Sequence, residues 1–288
     1  MKAFCRPDYS SVEMVWMRAL LGLVALFAFS GNVSETAQPA PVGLARMMDV
    51  TWVANESLHP QILVVSAIGF AIFAWGKRFS WIGAIPGLVA LSALGALRNS
   101  QGKPGAIHHL QIVALVLLVM VVVYAFCSLK KRPLSEYHRA ATWAGVQTVA
   151  ATYLVTGLTK IIASGGQWVN DSKYFPLQLE KTRMSEYFST LETASGWQAG
   201  LTSWVTDLFI ASPNICRAVL ASGLVLELGA FLALRNRTWA AGYGLLLIVF
   251  HLTISGVMQL DFTFNILVIA VLWVNLPHWV GKRFTKSA

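Results

Sequence analysis

Lys160 closes the run Tyr153-Leu-Val-Thr-Gly-Leu-Thr-Lys160, so on a helix Tyr153, Thr156, Gly157 and Lys160 share one face. An amine held in a dry pocket is a candidate base, because desolvation disfavours its ammonium form. Near the end of a span the same lysine could instead carry its charge to the interface along its methylene stem. His251, about two-thirds along an apolar run, and His108 and His109, which open another, offer imidazoles for proton exchange. A lone buried histidine can equally be a hydrogen-bonded packing residue. Glu227 lies mid-run in Leu224-Val-Leu-Glu-Leu-Gly229. A bare carboxylate there costs about 2.5–3.5 kcal/mol on insertion scales, so it is expected protonated or paired. Gln147 is the expected partner, with Glu227 about 20 Å by helix rise from the outer end of its span, beneath the site. Arg18 sits near the inner end of the first apolar run, where snorkelling accounts for it. No Ser-His-Asp set, Walker loop, GxGxxG fingerprint or metal-ligand spacing occurs, so none of the common soluble chemistries is indicated.

The elements that must position these residues are apolar. Of 288 residues, 56% are hydrophobic and 12% charged, and the mean hydropathy is +0.60. About a quarter of a soluble domain is charged, so a soluble enzyme, a disordered chain and a collagen-like chain are excluded. The net charge of +9 fits loops that fix orientation in a membrane better than nucleic-acid binding, since no basic stretch interleaves with aromatics. Cys5, Cys127 and Cys216 are too far apart for a disulfide framework or a zinc site.

A spanning helix needs about 20 mostly apolar residues. Eight segments fit: 14–30, 60–75, 81–97, 107–127, 139–163, 214–234, 239–259 and 262–280, the second and third joined by a tight turn at Gly76–Ser80. The expected fold is all-α, a polytopic membrane helix bundle of about eight transmembrane helices in one domain, 1–288. Lysine and arginine fall 13 to one side and 8 to the other, with every short loop of the first side basic. The positive-inside rule then places both termini in the cytoplasm, in a bacterial inner membrane. Trp75, Trp81, Trp143, Trp239 and Trp279 mark the inner ends of the spans. Lys2 and Arg6 before an apolar run resemble a signal peptide, but Asp8 and Glu13 interrupt it, so a retained helix is expected. Asn32, Asn55 and Asn170 head sequons on the outer side. In the long outer segment, 164–213, Met184, Tyr187, Phe188 and Leu191 fall at helical spacing, as do Leu201, Trp204, Val205, Leu208 and Phe209. They predict amphipathic interfacial helices, either a lid or a plug.

The motif from Tyr153 through Gly157 and Lys160, followed by Trp168-Val-Asn-Asp, resembles the vitamin K-dependent gamma-glutamyl carboxylases and their bacterial HTTM relatives. Met14-Val-Trp-Met-Arg18 to Gly22, Gly223 to Glu227, and Phe250-His251 ahead of Phe262 and Phe264 agree with the family's opening, acidic and histidine spans. The resemblance implies that Lys160 is the base that deprotonates a vitamin K-like hydroquinone, which O2 then oxidises to a strong base. It implies assistance from a histidine early in the fourth span, matched by His108 or His109. His251 is expected as a further proton partner from its shared depth with Lys160, with Tyr153, Gly157, Trp168 and Glu227 as the cofactor-binding residues. The sequence departs from the carboxylases at Thr159, where they carry a second lysine, and it ends at Ala288, soon after the last span. The expectation is therefore quinol chemistry without glutamate carboxylation. The alternative is a non-catalytic accessory subunit or assembly factor of a membrane complex, whose polar residues join helices at about 0.6 kcal/mol each. No repeat or broken helix favours a transporter.

Overall fold

A computed structural model describes residues 8–31, 43–100, 108–191, 197–258 and 260–279, and among these no strand occurs. Ten helices follow in order: α1 Ser11–Ser30, α2 His59–Trp75, α3 Ile85–Ser100, α4 His108–Leu129, α5 Leu134–Ala163, α6 Phe175–Thr190, α7 Trp197–Ala211, α8 Pro213–Leu228, α9 Arg237–Met258 and α10 Thr263–Ile269. The protein is an all-α bundle in which six helical stretches are long and apolar enough to cross a membrane. The second of these gains that length from a 3₁₀ turn, Ser80–Ala84, that runs into α3, and the fifth from a similar turn, Gly229–Leu234, after α8.

Two of the eight expected spans are shorter. The second is α2, with 17 residues. The eighth, expected over 262–280, continues from α10 through one π-helical turn, Ala270–Val274, and stops at Asn275, whose φ is +55°. Twelve residues rise only about 18 Å, short of a hydrocarbon core of about 30 Å. The left-handed residue ends the helix, and Trp279 turns back to donate its indole N–H to Val274 O at 2.8 Å.

Successive crossings gather the Gly76–Ser80 turn, the Lys130–Pro133 turn and the Arg235–Asn236 turn at one end, called here the basic end. There, Ser10 and Glu13 form a reciprocal cap on α1, Ser10 N donating to Glu13 Oε2 at 2.8 Å and Glu13 N to Ser10 Oγ at 3.2 Å. The other carboxylate oxygen of Glu13 accepts from Asn275 Nδ2 at 2.9 Å and pairs with Arg237 at 3.2 Å, with His278 also at 3.2 Å.

Arg18 does not snorkel. It is 1% exposed and donates from Nε to Phe73 O at 3.2 Å and from Nη2 to Ala74 O at 2.7 Å. The last carbonyls of α2 have no partners within their own helix, and a cation suits the negative end of the helix dipole, so Arg18 caps α2 from α1. The core between α1, α4, α5 and α10 is filled by Met17, Leu21, Leu117, Met120 and Trp273. Of the expected belt, Trp75, Trp239 and Trp279 stand exposed.

The long segment contains α6 and α7, joined to α8 by a small core of Leu179, Val205, Phe209 and Cys216. The spacing of Val205 and Phe209 marks a buried face, but Met184, Tyr187, Phe188 and Leu191 of the α6 side are all exposed. Asn55 spends its side-chain oxygen on Ser57 N, and Asn170 donates to Gln167. Asn32 lies outside the described residues.

The tightest helix approach joins α2 to the turn before α3. A Cβ on Gly69 would lie 2.0 Å from Gly83 O, a contact with backbone that cannot yield. Gly69→Ala should lower stability by at least about 1–3 kcal/mol, the usual cost of overpacking. Gly242→Ala on α9, where a Cβ meets nothing within 4 Å, should be neutral or stabilising. Thermal unfolding of both variants in detergent checks the contrast; equal melting would refute the close packing.

Candidate functional site

The face predicted on α5 exists, and three other helices bring polar groups to it. Tyr153 and His251 are 4% and 3% exposed, and the phenol oxygen lies 2.5 Å from Nε2 of the imidazole. Asn265 of α10 donates from Nδ2 to the same phenol oxygen at 3.4 Å, which leaves the phenol hydrogen for His251 Nε2. Phe262 stacks on the imidazole with ring centroids 4.5 Å apart and fixes its plane. The sequence places Asn265 as a lone amide within an apolar run, the signal that could have singled it out.

About two turns further along α5, Lys160 Nζ lies 2.5 Å from Glu227 Oε1. This corrects the expected partner and the expected depth of Glu227. Gln147 is exposed, and Glu227 is not beneath Lys160 but level with it. The reason is stagger: α5 ends at Ala163, whereas α8 starts well beyond that level, where Cys216 Sγ reaches Ser172 O at 3.3 Å. Helix rise measured from the start of α8 therefore overstates depth relative to α5. Gly157 makes the pairing feasible, since a Cβ there would lie 3.0 Å from Leu228 Cδ2 and 3.2 Å from Glu227 Cβ. Trp168 lies over the ammonium, 5.3 Å from Nζ to the ring centroid.

Tyr153, Lys160, Glu227 and His251 all face one cavity of about 920 Å³, together with Asn265 and Phe262. Its other walls come from α3 and α4, chiefly leucine and alanine, with Asn99 and Gln111 among them. Such a volume holds a ligand of several rings or a long tail, and a mostly apolar wall with a few convergent polar groups is the usual form of a small-molecule site. Two buried oxygens on these residues, Glu227 Oε2 and Asn265 Oδ1, have no hydrogen-bond partner among the described residues. Both are acceptors, so the site is matched to a ligand that brings donors.

His108 and His109 are the first residues of α4, and their side chains lie outside the described residues. Leu110 and Gln111, which follow them, line the cavity. Among the described residues no group of three His, Cys, Asp or Glu could hold a metal ion. Comparisons with protein families, with curated proteins and with solved structures find no match to this chain.

Lys160 keeps about a quarter of its side chain exposed (27%), whereas Glu227 is buried, so losing the lysine strands a carboxylate more than the reverse. Lys160→Met and Glu227→Gln should each destabilise, and the double variant should regain part of the loss. The double-mutant cycle, read by unfolding in detergent, should give a coupling of about 1–3 kcal/mol. Additive losses would mean that the two groups do not interact.

Proposed function

We propose that this chain is an integral membrane protein that binds a quinol, or a lipid-soluble molecule of similar shape with ring hydroxyls, in the cavity between α3, α4, α5 and α9. The observation that carries this reading is the convergence of a phenol–imidazole pair and an ammonium–carboxylate pair on one largely apolar cavity. The resemblance of the same residues to the vitamin K-dependent carboxylase and HTTM family supports it. The positive-inside rule applied to the basic end gives the orientation, with both termini cytoplasmic in a bacterial inner membrane.

A hydroquinone carries two hydroxyl donors, and Glu227 Oε2 and Asn265 Oδ1 are acceptors in search of donors. Lys160 enters the chemistry as half of a pair. The proton leaving a ring hydroxyl passes to the carboxylate of Glu227, while the Lys160 ammonium balances the charge left on the ring oxygen. Tyr153 and His251, hydrogen-bonded to each other, exchange a proton about two turns away along α5. When bound, the quinol supplies the redox chemistry; the chain's residues bind, orient and deprotonate it.

Mass spectrometry of organic extracts from purified wild-type, Tyr153→Phe and Lys160→Ala protein tests this. Wild-type protein should carry a co-purifying quinone, at reduced occupancy in both variants, with size-exclusion profiles confirming that each remains folded. No quinone in any sample would sink the proposal and leave the accessory-subunit reading in its place.

A further inference from the structure

At the basic end, a second cavity of about 740 Å³ opens between the last turn of α4 and the first turns of α5. Its walls carry Lys130, Arg132 and Arg139 against one carboxylate, Glu136. That carboxylate is only loosely held: Arg132 and Glu136 approach to 3.9 Å, with both side chains more than half exposed. Such a pair contributes little and gives way to a better partner. Arg139 uses Nη2 on Asp8 at 2.9 Å, while its Nε is buried with no hydrogen-bond partner among the described residues. Lys130 projects over the Phe126 ring, 5.9 Å from its centroid, and no carboxylate among the described residues pairs with it. The groove thus has surplus positive charge and at least one buried donor awaiting an acceptor.

The setting specifies what the acceptor is attached to. The groove sits where two apolar helices end, and Phe126, which lines it, begins an exposed stripe of α4 that continues through Val122 and Leu118. These residues are four apart and lie on one helix face. A charged recess directly above an apolar stripe has the shape of a phospholipid, with the headgroup in the recess and an acyl chain along the stripe. We propose that this groove binds the phosphate of an anionic phospholipid through Lys130, Arg132 and Arg139. The headgroup recess shares no residue with the quinol cavity, whose wall the apolar stripe reaches at Leu118, and the proposal rests only on the helices spanning a bilayer.

Native mass spectrometry of the delipidated full chain, titrated with phosphatidylglycerol and with phosphatidylcholine, tests it. Wild-type protein should bind the anionic lipid about tenfold more tightly or better, given roughly fivefold for each cation near a headgroup. Lys130→Glu combined with Arg132→Glu should bring the two lipids close to equal. Lys77→Glu combined with Arg235→Glu makes the same change of charge at the same end but outside the groove, and should keep the preference. Equal loss in both double variants would overturn the proposal in favour of general attraction to a basic surface. So would displacement of the lipid by inorganic phosphate alone, which would mark a site for a soluble anion.

Discussion

At Gly157 the fifth helix offers no side chain to α8, and Leu228 and the Cβ of Glu227 occupy the space where one would be. This close approach sets the rest of the site. It lets a short carboxylate reach the amine of Lys160 one turn above, while Tyr153, one turn below, faces His251 on the next helix. In an apolar medium a polar group must find its partner inside the protein. The distance between these two helices therefore decides whether Glu227 is a paired group or an intolerable one. A larger residue at 157 would push the helices apart and leave both charges without an answer.

The same constraint explains the polar residues remote from the cavity. Arg18 satisfies two carbonyls that α2 cannot satisfy itself, and Tyr243 donates to Leu226 O where α8 gives way to its 3₁₀ extension. Trp273 donates to Val146 O from within the π-helical turn. Each is a side chain from one helix bonded to the backbone of another, and the first two serve carbonyls at a helix end. Polar residues in this bundle join helices first, and only those that converge on a common space have chemistry open to them.

Periodicity and hydropathy made the helices legible in the sequence, and the basic loops paired their ends correctly. The face bearing Tyr153, Gly157 and Lys160 followed from spacing alone. What failed were inferences that need two helices at once. Helix rise alone sets Glu227 too deep, because the level of one helix against another is fixed by packing, which spacing within one helix does not encode. Spacing within α1 points Arg18 to water because the carbonyls it serves are 55 and 56 residues away in sequence. Asn265 gives no signal by charge because an amide is not titratable, although its place between Phe264 and Ile266 is as unusual as a charge would be.

The knot at the basic end has a consequence for how the chain is made. Glu13 is synthesised more than 220 residues ahead of three of its partners, Arg237, Asn275 and His278. Until they emerge, only Ser10 of the described partners is at hand. The carboxylate must therefore stay at the wet boundary through most of biosynthesis. It can withdraw from water only when α9 and α10 arrive, so these two helices and α1 lock together late, and the bundle cannot shed either side without exposing the same charge again.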